Sequence, residues 1–171
     1  ASRNLIQNPS FEEGLHYYRD TASWCHQSYP GEDRDVYSIE KAAAHSGNRC
    51  LKIKTWKDFT YLSPLGTFSI PVMKGKCYVF SLYAKASSPN VCLSMQHISG
   101  EFQWPVAIVK ECNLSNDWKR YEGSFKAENQ AEALLVSAID GVDPQAEAWI
   151  DDLQFEEAES ASAYADPPIG V

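Results

Sequence analysis

Long apolar runs, basic stretches and familiar catalytic signatures are all missing from this sequence, and each absence removes a class of function. No segment approaches the roughly eighteen consecutive apolar residues that a membrane-spanning helix needs, and neither a signal peptide nor an initiator methionine stands at the front. No membrane partner is expected, and the opening at Ala1 reads as a processing boundary. Lys and Arg number 15 against 23 Asp and Glu, a net charge of −8, and no basic stretch is longer than the alternating Lys52-Ile53-Lys54. Such a surface repels a phosphate backbone, so no nucleic-acid partner is expected either. GxSxG, HExxH, a glycine-rich phosphate loop and a dinucleotide fingerprint are absent, which leaves hydrolase, metalloprotease and nucleotide chemistries without their usual scaffolding. A glycosidase needs two carboxylates facing each other across a cleft. Glu12 with Glu13, and Asp151 with Asp152, are adjacent pairs that on a strand point to opposite faces. Cys25-His26 resembles a thiolate pair only in sequence, since neighbours rarely reach the required geometry. The chain is read as a non-enzyme.

The five cysteines (Cys25, Cys50, Cys77, Cys92, Cys112) include no CxxC pair, which argues against a zinc ribbon or a thioredoxin-type motif. Cys50, Cys77 and Cys92 sit in strand-like runs, where a cysteine is usually a small buried hydrophobe. Mostly free thiols are expected, as suits a reducing habitat.

What the sequence does have is size and alternation. Its 171 residues, 44% hydrophobic and 12% aromatic, suffice for one well-filled core. Helical spacing is scarce, whereas short period-two runs separated by Gly, Pro, Asn and Asp recur throughout, the pattern of an antiparallel β-sandwich. Strands are predicted at 36–41, 50–55, 66–70, 77–86, 91–98, 118–126, 133–139 and 148–156, with one short helix-like stretch at 127–133. In the run 77–86, Tyr78, Phe80, Leu82 and Ala84 share one face and Ser81, Tyr83 and Lys85 the other. The composition of residues 160–171 is that of a linker, so a domain over 1–159 followed by a further domain is expected.

The strongest signal lies in the two ends, Asn4-Leu5-Ile6-Gln7-Asn8-Pro9-Ser10-Phe11-Glu12-Glu13-Gly14 and Ala148-Trp149-Ile150-Asp151-Asp152-Leu153-Gln154-Phe155-Glu156. On a regular strand Trp149, Asp151, Leu153 and Phe155 share a face, which points a carboxylate among large apolar groups. A buried carboxylate needs a cation or several donors. Pairing of the end strands would add Glu12 or Glu13, and loop carbonyls would complete an oxygen shell suited to Ca²⁺. The plainer alternative is that Asp151 and Asp152 are capped by backbone amides.

These ends, with His45-Ser46-Gly47-Asn48-Arg49-Cys50-Leu51-Lys52-Ile53, Lys74-Gly75-Lys76-Cys77-Tyr78 and Trp118-Lys119-Arg120-Tyr121 between them, resemble the carbohydrate-binding modules of families four, nine and twenty-two. The resemblance covers nearly the whole chain. It implies a two-sheet jelly roll, a structural calcium joining the chain ends near the central turn, and a glycan groove on the concave sheet. Carried onto this sequence, calcium would take Glu12 and Asp151 as carboxylate ligands and carbonyls near Ser10, Ser46 and Asn48. Such a module would be a monomer attached to a catalytic domain in a secreted or cell-surface protein, of bacterial origin.

A sugar-binding surface needs exposed aromatic planes edged by hydrogen-bonding groups. Trp149 is assigned to the core and Trp118 to packing. Trp56 follows Lys52 and Lys54 on the polar side of its strand and leads into Lys57-Asp58-Phe59-Thr60-Tyr61, a segment too polar for the core. The stretch 99–105 again sets aromatics among polar residues. Trp56, Tyr61 and Trp104 are the expected platforms, with Gln96, His97 and Gln103 as hydrogen-bonding partners. Two readings stand beside the module: a ligand-free jelly roll serving as a spacer or packing against a catalytic partner, and a small lyase or hydrolase on the same fold.

Overall fold

Alternation of apolar and polar residues sets the central strand β6 (Cys77–Ala86), whose Tyr78, Phe80, Leu82, Ala84 and Ala86 are all buried in the core while Tyr83 and Lys85 on the opposite face are half-exposed. The computed structural model describes residues 4–6, 10, 12, 25–28, 37–54, 60–63, 70–99, 106–128, 131–141 and 146–165. Strands β2 (Tyr37–Glu40), β3 (Cys50–Lys54), β11 (Glu147–Glu157), β6 and β9 (Lys119–Lys126) form one sheet in the order β2-β3-β11-β6-β9. The other has the order β1-β4-β10-β7-β8, from β1 (Cys25–Ser28), β4 (Thr60–Ser63), β10 (Ala131–Gly141), β7 (Val91–Ser99) and β8 (Val106–Glu111). The short β5 (Ile70–Val72) pairs with the start of β10. Every pairing is antiparallel.

One apolar cluster joins the two sheets, with Leu51, Ile53, Phe80, Leu82, Ile150 and Phe155 from the first meeting Val72, Val91, Leu93 and Met95 from the second. Phe155 stacks on Tyr78 at 5.3 Å between ring centroids and on Phe125 at 6.0 Å. The result is the expected all-β sandwich. No helix occurs among the described residues, and 131–133, predicted as the end of a helix-like stretch, opens β10. Strands β1, β4 and β8 were not predicted: Cys-His-Gln-Ser and Thr-Tyr-Leu-Ser carry too little alternation to stand out, and Val-Ala-Ile-Val-Lys-Glu is a continuous apolar run that a search for alternation passes over.

The chain ends meet on β11. Leu5 N donates to Phe155 O at 2.8 Å, and Asn4 Nδ2 donates to Leu153 O and to Ala165 O at 2.8 and 3.1 Å. Residues 161–165, which open the stretch read as linker, are tied down as well. Ala165 N donates to Gln154 Oε1, Ser162 N to Glu156 Oε1 and Ala161 N to Glu122 Oε2. These residues cover the outer side of the first sheet where Ser81, Gln154 and Glu156 are buried.

Two sequence expectations are corrected. Cys92, read as a small hydrophobe, is bridged to Cys112 across 20 residues, whereas Cys50 and Cys77 are free. A disulfide favours an oxidising compartment, so the argument for a reducing habitat falls away. Trp149 is not in the core. It is half-exposed on the outer face of its sheet, while Ala148 and Ile150 face inward. The single-face reading of Trp149, Asp151, Leu153 and Phe155 fails because β11 shifts register between Asp151 and Gln154, with Asp152 at a positive φ of 49°. That bulge reverses the alternation, so Leu153 and Phe155 enter the core from the opposite parity.

Candidate functional site

The same bulge builds a buried polar centre. Adjacent residues on a regular strand diverge, yet Asp151 and Asp152 both accept from the single hydroxyl Ser10 Oγ, at 3.2 and 2.8 Å. The turn after β2 closes over them. His45 N and Ser46 N donate to Asp151 Oδ2 at 2.9 and 3.2 Å, Ser46 Oγ donates to Asp152 Oδ1 at 2.6 Å, and His45 Nδ1 stands 2.7 Å from Asp152 Oδ2. Both aspartates are buried, with exposures of 0% and 1%. Burial, and then the charge of Asp152, push the Asp151 carboxyl up to about 7, against the opposing pull of its bonds from Ser46, Asp152 and Ser10. Asn48 N donates to Glu12 Oε1, which brings a third carboxylate to the turn.

Calcium takes about six to eight oxygen ligands. The carboxylates of Glu12, Asp151 and Asp152 with the hydroxyls of Ser10 and Ser46 are donors of that chemistry. Their present arrangement is closed, however: no three His, Cys, Asp or Glu side chains among the described residues converge on one metal position. Ser46 and Asn48 turn amide N–H groups toward the carboxylates, where carbonyl oxygens were expected. His45 and Asp152 are the members that sequence reasoning left out or left open. Only the bulge, which has no signature in the sequence, makes Asp152 a partner of Asp151.

Gly47 explains the Ser-Gly-Asn turn. Its φ is 62°, and a Cβ there would collide with the Glu12 carboxylate. Gly47→Ala should therefore cost about 1–2 kcal/mol for the left-handed backbone alone and displace Glu12 besides. Thermal or denaturant unfolding checks this, and an unchanged midpoint would mean that Glu12 does not sit against the turn.

A raised carboxyl pKa fixes the sign of a pH effect. Between the ordinary aspartate value of 3.8 and about 7 the folded state holds a proton that the unfolded state has lost. This contribution to stability is complete below the lower value and disappears as pH rises through the upper one. In chelator, the parent should lose stability relative to Asp151→Asn as pH climbs from 4 to 7. Parallel curves would show that Asp151 titrates normally.

The sugar-site residues lie elsewhere. Trp56, Gln103 and Trp104 fall outside the described residues. Tyr61 is in β4 and Gln96 and His97 are in β7, two strands flanking β10 in the second sheet, about 10 Å apart at two strand spacings. In the register Tyr61 pairs with Ala138, which pairs with Ser94, while Gln96 pairs with Val136. The strand leading to Trp56, β3, belongs to the other sheet, with Lys52 and Lys54 on its outer face.

Two antiparallel sheets packed face to face, with both chain ends fastened to β11, define a jelly-roll binding domain. Residues 3–144 match the family model of the carbohydrate binding domain CBM_4_9, and the chain belongs to that family. Among solved structures, TmCBM61 in complex with β-1,4-galactotriose is similar at a TM-score of 0.67 and 16% identity, over 92% of this chain and 100% of the other. The CBM22-1 xylan-binding domain from Paenibacillus barcinonensis Xyn10C matches at 0.62 and 20% identity, over 94% and 99%. The CBM22-1–GH10 modules of Clostridium thermocellum Xyn10B, complexed with xylohexaose, match at 0.62 and 14% identity over 97% of this chain and 30% of the other. No curated protein sequence is significantly similar to the chain.

Proposed function

We propose that this domain is a non-catalytic module that binds a neutral plant-type polysaccharide or oligosaccharide by aromatic stacking and directs an attached glycoside hydrolase to it. The observation that carries the reading is the family match across 3–144, joined to a two-sheet sandwich in which Tyr61 lies on β4 and Gln96 on β7, the strands either side of β10. Xylan and β-1,4-galactan fragments are the first candidates, since similar folds were solved with or named for them. Trp56 and Trp104 serve as stacking planes, with Gln103 and His97 at the rim. The parent protein is secreted or surface-bound and bacterial, a setting in which the Cys92–Cys112 bridge persists.

Calcium is part of this proposal, held by Glu12, Asp151 and Asp152. Its support is the charge imbalance of the centre, where two buried carboxylates face one imidazole and the Asp151 carboxyl is driven upward. When bound, the ion would supply countercharge and tie the chain ends to the 45–48 turn. Catalysis by these aspartates is disfavoured because they adjoin one another and are buried, whereas a glycosidase pair flanks an accessible bond. A panel of soluble xylan and galactan oligosaccharides on affinity gels tests the binding reading. Retardation supports it, and free passage through every gel would favour a spacer domain.

A further inference from the structure

The outer face of the first sheet falls into three zones. Residues 161–165 cover the zone of Ser81, Gln154 and Glu156, and the 45–48 turn with Ser10 covers Asp151 and Asp152. The third zone is a row across three strands in which Lys52 pairs with Trp149 and Trp149 with Lys85, and where the Lys85 Nζ lies 5.0 Å from the Trp149 ring centroid and 5.1 Å from that of Trp118. Trp149, Lys85 and Trp118 are half-exposed. Trp118 is anchored by its Nε1, which donates to Ala43 O at 3.1 Å.

Cations and donors dominate this row. Lys52 is shared by Glu40 and Glu147 at 3.7 and 3.8 Å, but Lys85 is held between two indoles and makes no ion pair with a carboxylate among the described residues. Lys54, paired with Glu147, adds an exposed charge at the end of β3. Among the described residues the buried side-chain polar atoms without a partner are Trp149 Nε1, in this row, and Arg120 Nε, on the residue paired with Tyr83 outside it. An orphaned donor calls for an acceptor, and an ammonium held between aromatic rings for an anion. In a chain of net charge −8 this is a local reversal of sign.

We propose that this row, on the outer face of the first sheet, is a second binding site for an acidic sugar residue bearing a carboxylate or a sulfate. The indoles of Trp149 and Trp118 offer apolar surface to the ring, and Lys85 meets the anion. The site does not depend on the neutral-glycan reading.

Calorimetric titration with trigalacturonate, its methyl ester and a sulfated galactotriose tests it on the parent, Lys85→Gln and Trp149→Phe, each first shown to melt as a folded domain. At least one acidic trimer should bind the parent, more weakly as salt is raised. Binding by only one of them would identify which anion the site takes. The methyl ester should bind at least tenfold more weakly than a bound trigalacturonate, Lys85→Gln should weaken acidic binding at least tenfold, and Trp149→Phe should weaken it severalfold. Binding of a neutral oligosaccharide should be the same in parent and variants, and its absence from all three would sink the first reading alone. Failure of both acidic trimers to bind the parent, or equal acidic affinity in parent and Lys85→Gln, would overturn the second site.

Discussion

In millimolar calcium the domain should melt several degrees higher than in chelator, and Asp151→Ala should erase the difference. The reason is electrostatic. Asp151 and Asp152 are fully enclosed, and the donors that reach them, Ser10, His45 and Ser46, supply hydrogen bonds but at most one formal charge. An ion that binds only the folded state stabilises it by about 2.7 kcal/mol at a hundredfold excess over its dissociation constant. For a domain of 171 residues this corresponds to a shift of about 5–10 °C. Binding should weaken below pH 7, since the carboxylates must be ionised to act as ligands. If calcium and chelator give the same melt, the aspartates are satisfied by their protein donors alone, the amide-capped alternative.

Truncating either Trp56 or Trp104 to alanine should weaken glycan affinity by roughly thirtyfold while leaving the melt unchanged. Both stand in polar surroundings in the sequence, between Lys54 and Lys57 and between Gln103 and Pro105, where folding alone gives no reason for an indole. Loss of a stacked aromatic at the centre of a site costs about 2 kcal/mol or more, which sets the size of the effect. Because the contacts are apolar stacking and neutral hydrogen bonds, affinity should change little between low and moderate salt. Calorimetry on the folded variants reads both effects. Parent-like affinity in both would place the platforms elsewhere.

The fold was legible where alternation was strong. The run Cys77-Tyr78-Val79-Phe80-Ser81-Leu82-Tyr83-Ala84-Lys85-Ala86 matches β6 end to end, and its inward set is the core. Local pattern was least informative about strands that owe their place to neighbours. Thr60–Ser63 is a four-residue strand between β1 and β10, held by cross-strand pairing, and its own sequence read as a polar surface segment. The aspartate centre was half legible. Asp151 and the pair Glu12 and Glu13 stood out by residue type at the two chain ends, and Ser10 entered only through the family resemblance and for a carbonyl rather than its hydroxyl, whereas Asp152 and the exposure of Trp149 depend on a positive-φ bulge that side-chain periodicity cannot reveal. Cys92 and Cys112 illustrate the same limit, since a bridge is set by distance in space and a spacing of 20 residues does not encode it.

The account stands most directly on sugar binding through the second sheet. Parent, Tyr61→Ala and Gln96→Ala should be titrated with the oligosaccharide from the neutral panel that the parent retains best. The account predicts saturable binding by the parent, at least tenfold weaker binding by Tyr61→Ala, a smaller loss for Gln96→Ala, and unchanged melting for all three. No binding by the parent to any member of the panel, or equal binding by all three proteins, would contradict it.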